Sequence, residues 1–173
     1  KQLKTIEFSE NSELQSIGKY AFCGCGLDYV LIPSNVTVIE NYAFTNCKYL
    51  REINFSKDSK LKTIGQYAFS NSAIQKLYIP AEVESLDNGW CCDVPNLIDI
   101  SISPNNKLFA YINNSLLVRK SFIGEKYSYC NLYFARRNID NITIPSFITH
   151  IKPYAFNNCK MINSINFSED SKL

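Results

Sequence analysis

A six-residue pattern, in which an aliphatic residue is followed three residues later by Tyr-Ala-Phe, recurs along the chain and constrains its fold more than any other feature. The intact copies are Ile17–Phe22, Ile39–Phe44, Ile64–Phe69 and Ile151–Phe156, and Leu86–Cys91 is a degenerate copy. The first four Phe-equivalent positions are 22, 25 and 22 residues apart. Self-similarity at such a period is typical of a solenoid, in which each repeat packs only on its neighbours.

A second repeated element lies between these copies and shows the two-residue alternation of a strand with one buried face. Its apolar residues are mostly branched or aromatic, as strands prefer. The central residues of its copies, spaced 24, 23, 24, 23, 42 and 23 apart, are Ile6, Val30, Ile53, Leu77, Ile100, Ile142 and Ile165. We therefore expect one short strand per repeat and one parallel sheet of seven strands, about 29 Å across at the usual strand spacing.

The Tyr-Ala-Phe segments leave room for no more than one or two helical turns. We interpret the Phe as the residue that fills the space between layers, and the Ala as the point where neighbouring layers approach most closely. The predicted fold class is an α/β repeat solenoid. Each repeat of about 23 residues contributes one short parallel strand, and short helical turns lie on the other side.

One repeat is longer than the others by about 19 residues, which lie within residues 104–137. Apolar residues alternate on both sides of the Asn113-Asn114 pair, which predicts a hairpin. These residues are Leu108, Ala110 and Ile112 before the turn, and Leu116 and Val118 after it. Leu132 and Phe134 form a further alternating piece, and Gly124–Lys126 predicts another turn. We expect an extended repeat with extra strands at 104–137, inside a single array that covers residues 1–173.

Composition argues against two classes of partner, and the last residues of the sequence indicate a longer array. A net charge of +2 over 173 residues indicates no general attraction to nucleic acid or anionic membranes. No apolar run is long enough to span a bilayer. Residues 165–173 repeat residues 53–61 with one substitution, and no Tyr-Ala-Phe segment follows. We therefore expect the chain to be a fragment of a longer array.

The seven cysteines do not form a recognisable ligand or disulfide pattern. Cys25, Cys47 and Cys159 lie three residues after the repeat Phe, where Ser72 and Val94 occur in other copies. A position that accepts these three residue types indicates a small buried side chain, so we predict buried free thiols there. The sequence leaves open whether the remaining cysteines form disulfides: Cys23, Cys91, Cys92 and Cys130. Their spacing does not match zinc ligation, and we expect no metal or cofactor.

The order of these motifs resembles the BspA-like leucine-rich repeat family over essentially the whole chain. The shared signature is Ile-Pro, Val-x-x-Ile, Tyr-Ala-Phe and a Cys three residues later, and the resemblance includes the extended unit that begins at Pro104. It implies a right-handed leucine-rich-repeat superhelix. It also implies a secreted or cell-surface protein of a mucosal bacterium or protozoan parasite, associated with adhesion and virulence. The family supplies no catalytic residues.

Residues that alternate with the buried positions of a strand face outward, where a ligand could bind. Exposed aromatic residues among polar groups are what the centres of interfaces favour. The candidate binding residues are Tyr29, Leu31, Glu52, Asn54, Lys76, Tyr78 and Asp99. We hypothesise that they bind a host extracellular-matrix or cell-surface protein, or a glycan. The aromatic residues of the extended unit form a second candidate surface, although a core role fits them better.

Two alternatives to binding remain at this point. The opposite charges on adjacent strands could simply support the sheet. The array could also be a structural spacer with no ligand of its own. Catalysis is not expected, because the chain has one histidine and lacks a nucleophile–base grouping, a paired-acid motif and a phosphate-binding glycine-rich loop.

Overall fold

The structure, a computed structural model, describes residues 3–9, 11–123 and 126–173. Within these residues the chain forms fourteen strands, nine of which have four or more residues. In chain order they are β1 Ser16–Ile17, β2 Tyr29–Ile32, β3 Val38–Ile39, β4 Glu52–Phe55, β5 Thr63–Ile64, β6 Lys76–Ile79, β7 Ser85–Leu86, β8 Asp99–Ile102, β9 Phe109–Ile112, β10 Leu116–Ile123, β11 Lys126–Ala135, β12 Asn141–Ile144, β13 His150–Ile151 and β14 Ser164–Phe167.

Strands β2, β4, β6 and β8 form a parallel sheet in which neighbours in space are successive repeats. Their central residues Val30, Ile53, Leu77 and Ile100 stand in register and are at most 3% exposed. The residues on either side of these positions are exposed or only partly buried, as the period of two requires. The prediction of one short parallel strand per repeat is confirmed for these four repeats.

The prediction of one seven-stranded sheet is wrong. Strands β12 and β14 pair with each other in a separate sheet, and residues 3–9 contain no strand. No described strand continues the sheet beyond β8 toward β12, because the extended unit interrupts the stack at this point. The continuous strand surface is therefore four strands wide, about 14 Å at the usual spacing.

A second parallel ladder joins the aliphatic residues that open each six-residue copy. Strands β1, β3, β5 and β7 pair in that order, which aligns Ile17, Ile39, Ile64 and Leu86. All four side chains are buried in the same core cluster as the central residues of the first sheet. Each of these regular repeats therefore contributes inward-facing side chains from two short strands.

The predicted helical turns are absent, because no residue in the described part of the chain is helical. In every copy, the residue at the Tyr position and the residue four positions later both have positive φ. Tyr42 and Asn46, for example, have φ values of 61° and 60°. A right-handed helix cannot continue through residues in this conformation. The other pairs are Tyr20 with Gly24, Tyr67 with Asn71, Gly89 with Asp93, and Tyr154 with Asn158.

Backbone amides in these turns alternate between two kinds of partner. Within the second copy, Ala43 N–H donates to Glu40 C=O in the same turn, as an ordinary β-turn amide does. Phe44 N–H instead donates to the carbonyl of Ala68 in the next repeat, with N and O 2.8 Å apart. The turns are therefore stacked and hydrogen-bonded like strands, which satisfies backbone groups that a helix would have paired internally.

An aromatic column fills the interior behind these turns. The ring centroids of Phe22 and Phe44 are 5.2 Å apart, and those of Phe44 and Phe69 are 6.0 Å apart. The column continues through Trp90 to Phe134, with centroid separations of 6.5 and 6.4 Å. Phe44, Phe69, Ala43 and Ala68 are fully buried, which agrees with the roles predicted for Phe and Ala. Phe156 lies outside this column and packs against a second core cluster.

The extended unit places an antiparallel sheet across the core, here called the septum (strands β9, β10 and β11). The turn between β9 and β10 contains Asn113 and Asn114, both with positive φ, and β11 also pairs with β13. The turn predicted at Gly124–Lys126 includes Gly124 and Glu125, which lie outside the described residues.

Side chains on the two faces of the septum belong to different core clusters. Phe109, Tyr111, Leu117 and Phe134 pack with the repeats that precede it, and Leu116, Val118 and Leu132 pack with those that follow. Alternation along a strand sends successive side chains to opposite faces, so a sheet in this position is apolar on both sides. The core is divided in two, and the septum is the wall between the halves.

Two polar side chains secure the septum. The amide of Asn106 donates to the carbonyls of Pro80 and Val83 and accepts from the backbone N–H groups of Leu108 and Phe109, at 2.8–3.1 Å. Beyond the septum, the guanidinium of Arg137 is buried 4.2 Å from the centre of the Phe134 ring and donates to the carbonyls of Ala135 and Ala155. Neither the position nor the burial of Arg137 was expected from the sequence.

The cysteine predictions are confirmed in part. Cys47 and Cys159 are buried free thiols, whereas Cys25 is only partly buried. Cys47 Sγ–H donates to the carbonyl of Phe22 at 3.0 Å. The four cysteines whose pairing the sequence left open are also free, and Cys23 alone among the seven is exposed.

Candidate binding face

All seven predicted binding residues lie on the outer face of the β2-β4-β6-β8 sheet, here called the strand face. Strand register places Tyr29, Glu52, Lys76 and Asp99 in one row, with Leu31 beside Asn54 in the row adjoining it. The second row continues to Tyr78, which pairs with Ser101. The structure therefore brings these residues together on one surface. Whether they bind a ligand stays a prediction.

Three large side chains on the strand face remain open to solvent. Tyr29 is 45% exposed, Leu31 is 49% exposed and Tyr78 is 42% exposed. Each alternates along its strand with a fully or almost fully buried residue, so the backbone fixes its outward direction. Tyr29 and Leu31 form one apolar area on β2, and Tyr78 forms another on β6. Asn54 lies between them on β4.

The charges on the strand face contribute little to the stability of the sheet. Lys76 Nζ lies 4.0 Å from Asp99 Oδ2, and the two side chains are 77% and 52% exposed. Exposed pairs of this kind contribute about 0.2–1 kcal/mol. Glu52 is exposed between Tyr29 and Lys76 and makes no ion pair within the described part of the chain.

Two depressions adjoin the strand face. One, of about 130 Å³, lies over the middle of the sheet between Glu52, Lys76 and Tyr78. The other, of about 360 Å³, lies at the end of β2 and is here called the Phe8 cleft. Leu31 and Pro33 line it with Phe8, and the Ser56–Asp58 turn closes its far side. The sequence did not predict the Phe8 cleft, because its shape depends on turns whose paths alternation does not determine.

The aromatic residues of the extended unit are mainly part of the core. Phe109 and Phe134 are buried, and Tyr111 and Tyr133 are partly buried against the first core cluster. Burial raises the pKa of Tyr111 to about 12, although the nearby guanidinium of Arg136 acts in the opposite direction. These four aromatic side chains are therefore core residues rather than contacts of the second candidate surface.

A row of tyrosines along the turn edge was missed by sequence reasoning. Tyr20, Tyr42 and Tyr67 stack with centroids 4.9 and 5.2 Å apart, and Tyr67 meets the edge of Tyr154 at 5.6 Å. The hydroxyl of Tyr67 donates to that of Tyr154 at 2.5 Å. The row could have been predicted, because these tyrosines occupy the same position in each Tyr-Ala-Phe copy and equivalent positions of a solenoid stack on one another. Gly89 replaces Tyr in the degenerate copy, and the ring of Tyr67 lies over it.

The buried thiols of the interior have raised pKa values. Desolvation raises the pKa of the Cys47 and Cys91 thiols to about 12, although Arg137 beside Cys91 acts in the opposite direction. Thiols with raised pKa values are poor nucleophiles near neutral pH. In the portion of the chain that the structure covers, no three His, Cys, Asp or Glu side chains cluster as metal ligands would, and no helix could span a membrane.

The family model for the BspA type leucine rich repeat region matches residues 15–123 and 127–172, in six copies. The chain belongs to the BspA-type leucine-rich repeat family. The resemblance drawn from the Tyr-Ala-Phe motif is thereby confirmed. No curated protein matches the chain.

Solved structures show the same BspA-type fold at low sequence identity. The pneumococcal vaccine antigen PcpA has a TM-score of 0.88 at 24% identity over 98% of this chain and 41% of its own. A leucine rich cell surface protein from Faecalibacterium prausnitzii has a TM-score of 0.71 at 20% identity, with 90% and 52% coverage. A leucine-rich repeat protein from Eubacterium ventriosum has a TM-score of 0.71 at 24% identity, with 93% and 47% coverage. The chain thus spans about half the length of these structures.

Proposed function

We propose that this BspA-type array is a cell-surface or secreted binding module that docks a host extracellular-matrix protein, cell-surface protein or glycan on its strand face. The observation that carries the proposal is the exposure of Tyr29, Leu31 and Tyr78 on one surface. Aromatic side chains dominate the energetically important centres of interfaces. A spacer has no need to keep two aromatic residues and a leucine in solvent on one surface.

Similarity to known surface proteins supports the location. One similar structure is described as a cell surface protein and another as a vaccine antigen. The proposal assigns the chain no catalytic role, because its conspicuous groups are outward-facing side chains rather than an enclosed set of acids, bases and nucleophiles.

The experiment compares the wild-type chain with a variant of the strand face. Wild type, Tyr29→Ala/Tyr78→Ala and Tyr20→Ala/Phe147→Ala are each applied to immobilised matrix proteins and to a glycan array. Tyr20 and Phe147 are exposed aromatic residues outside the strand face, so their double variant is a matched control. We expect wild type and control to bind one partner, and the Tyr29/Tyr78 variant to bind at least roughly tenfold more weakly.

Two other outcomes would contradict the proposal in different ways. Equal binding by all three proteins would place the site away from the strand face. An absence of binding to every partner, by a wild type shown to be folded, would favour the spacer alternative.

A further inference from the structure

The charges on the strand face leave one carboxylate available to a partner. Lys76 stands in register between Glu52 and Asp99, and its ammonium pairs with Asp99. Two carboxylates therefore flank one cation, which pairs with only one of them, and this row has a formal charge of −1. Glu52 lies beside Tyr29, whose ring can also attract a cation. This corner of the face is chemically suited to a positively charged group.

The Phe8 cleft offers the complementary apolar contact. Its wall includes Leu31, which is half exposed, together with Phe8 and the buried Pro33. A volume of about 360 Å³ accommodates a large apolar side chain with room to spare. Burial of the exposed Leu31 surface would supply hydrophobic free energy that the polar middle of the face cannot.

The spacing between these two contacts matches an extended peptide. Leu31 pairs with Asn54, and Glu52 lies two residues before Asn54 on β4. Along the strand direction Leu31 and Glu52 are therefore offset by about 6.6 Å, close to the distance between alternate side chains of an extended ligand. A peptide lying along β2 and β4 could therefore place an apolar side chain in the Phe8 cleft and a cationic one against Glu52.

We propose that the occupant of the strand face is an extended peptide segment of a partner protein that carries Arg or Lys two residues from a large apolar residue. This inference rests on the proposed function, because it names the partner chemistry of the same surface. The unpaired carboxylate favours such a peptide over a glycan, since a neutral or anionic sugar offers no group that neutralises Glu52.

The test is a selection from a displayed random peptide library on the immobilised chain, with counter-selection on Tyr29→Ala/Tyr78→Ala. We expect enriched sequences to combine Arg or Lys with Leu, Ile, Phe or Met two positions away. A synthetic copy of the most enriched peptide is then titrated by calorimetry against wild type, Glu52→Gln and Glu82→Gln. Gln keeps the shape of Glu, and Glu82 is an exposed carboxylate outside the strand face, so Glu82→Gln is the matched control.

We expect Glu52→Gln to weaken binding by roughly three- to tenfold, and Glu82→Gln to leave it unchanged. Added salt should weaken binding to wild type more than binding to Glu52→Gln, because screening acts on the charge pair.

Failure of this inference can be distinguished from failure of the proposed function. Peptides that require Tyr29 and Tyr78 but lack a cation, or that bind Glu52→Gln as tightly as wild type, would overturn the inference and leave the strand face as a binding site. A selection that enriches no tyrosine-dependent peptide would also overturn it. In that case, the matrix-protein and glycan panel decides whether the strand face binds anything.

Discussion

The regular repeats and the extended unit fill the same interior in different ways. In the regular repeats, Phe22, Phe44 and Phe69 occupy equivalent positions, and each turn is hydrogen-bonded to the next through its backbone. From the degenerate copy onward, Trp90 and Phe134 continue the column from non-equivalent positions. The column therefore requires aromatic rings of suitable size, whereas the repeated backbone turn determines which sequence position supplies each ring.

The two regions also differ in how they satisfy polar backbone groups. Regular turns use the carbonyls and amides of neighbouring repeats. At the septum, side chains take over part of this role, with Asn106 at its entry and Arg137 beyond it. Side chains can be substituted singly, so a polar substitution at Asn106 or Arg137 can weaken the septum directly, whereas the backbone bonds of the regular turns cannot be removed in this way.

The largest expected effect is in the column of the regular repeats. Phe44→Ala removes a fully buried ring between two others and should lower the free energy of unfolding by about 3–5 kcal/mol. Urea denaturation measures the change. Phe167→Ala, at a half-exposed ring on β14, is the control and should change it by less than about 1 kcal/mol. Similar losses for both variants would contradict the buried column.

At the septum, Asn106→Asp separates hydrogen bonding from packing because the two side chains have the same shape. The substitution replaces a donor to the carbonyls of Pro80 and Val83 by an acceptor, and should destabilise the fold by about 2–3 kcal/mol. Thermal unfolding of Asn106→Asp and of the neighbouring exposed Asn105→Asp would show the difference. If the two variants were equally stable, the septum would not depend on this side chain.

The third prediction concerns how much the packing of Arg137 against Phe134 stabilises the septum. Arg137→Met keeps most of the contact with Phe134, whereas Arg137→Ala leaves a void, and both lose the bonds to Ala135 and Ala155. Because Met fills the space that Ala leaves empty, we expect Met to be more stable than Ala by about 1–2 kcal/mol. Chemical denaturation of both variants provides the comparison, and equal stability would indicate that the contact with Phe134 contributes little to the stability of the septum.

The smallest effect concerns the Cys47 thiol in the regular repeats. Its pKa is about 12 in the folded state against an ordinary value of 9.0, so above pH 9 the unfolded chain loses a proton that the folded chain retains. Stability from this group is complete below that pH and declines as pH rises. Between about pH 8 and about pH 10, wild type should lose about 1.4 kcal/mol more than Cys47→Ala. Denaturation under reducing conditions tests this, and Cys23→Ala, at an exposed thiol, should behave as wild type.

The sequence predicted the features that depend on spacing. The period of Tyr-Ala-Phe indicated the stack, and alternation around Val30, Ile53 and Leu77 identified which side chains of the sheet face outward. The turn conformation was not predicted, because tyrosine has no preference for positive φ. A signal was available four residues later, where every copy has a residue type that tolerates this conformation. These residues are Gly24, Asn46, Asn71, Asp93 and Asn158.

The binding face was only partly predictable for a related reason. Alternation places Tyr29 and Leu31 on the strand face, but the Phe8 cleft also depends on the path of the Ser56–Asp58 turn. The width of the sheet was overestimated because an insertion measured in residues does not reveal whether it projects outward or crosses the core. Here it crosses the core, and β12 cannot pair with β8.

The septum has a consequence for the order of folding. In the first four strand-bearing repeats, the hydrogen-bonding edge of one strand is a template on which the next can form, and structure can spread from neighbour to neighbour. That spread ends at β8. The hairpin that follows must close on itself before β13 finds its partner in β11. The template for the second core is therefore the septum strand β11 and not β8, so structure can spread past this junction only through the septum.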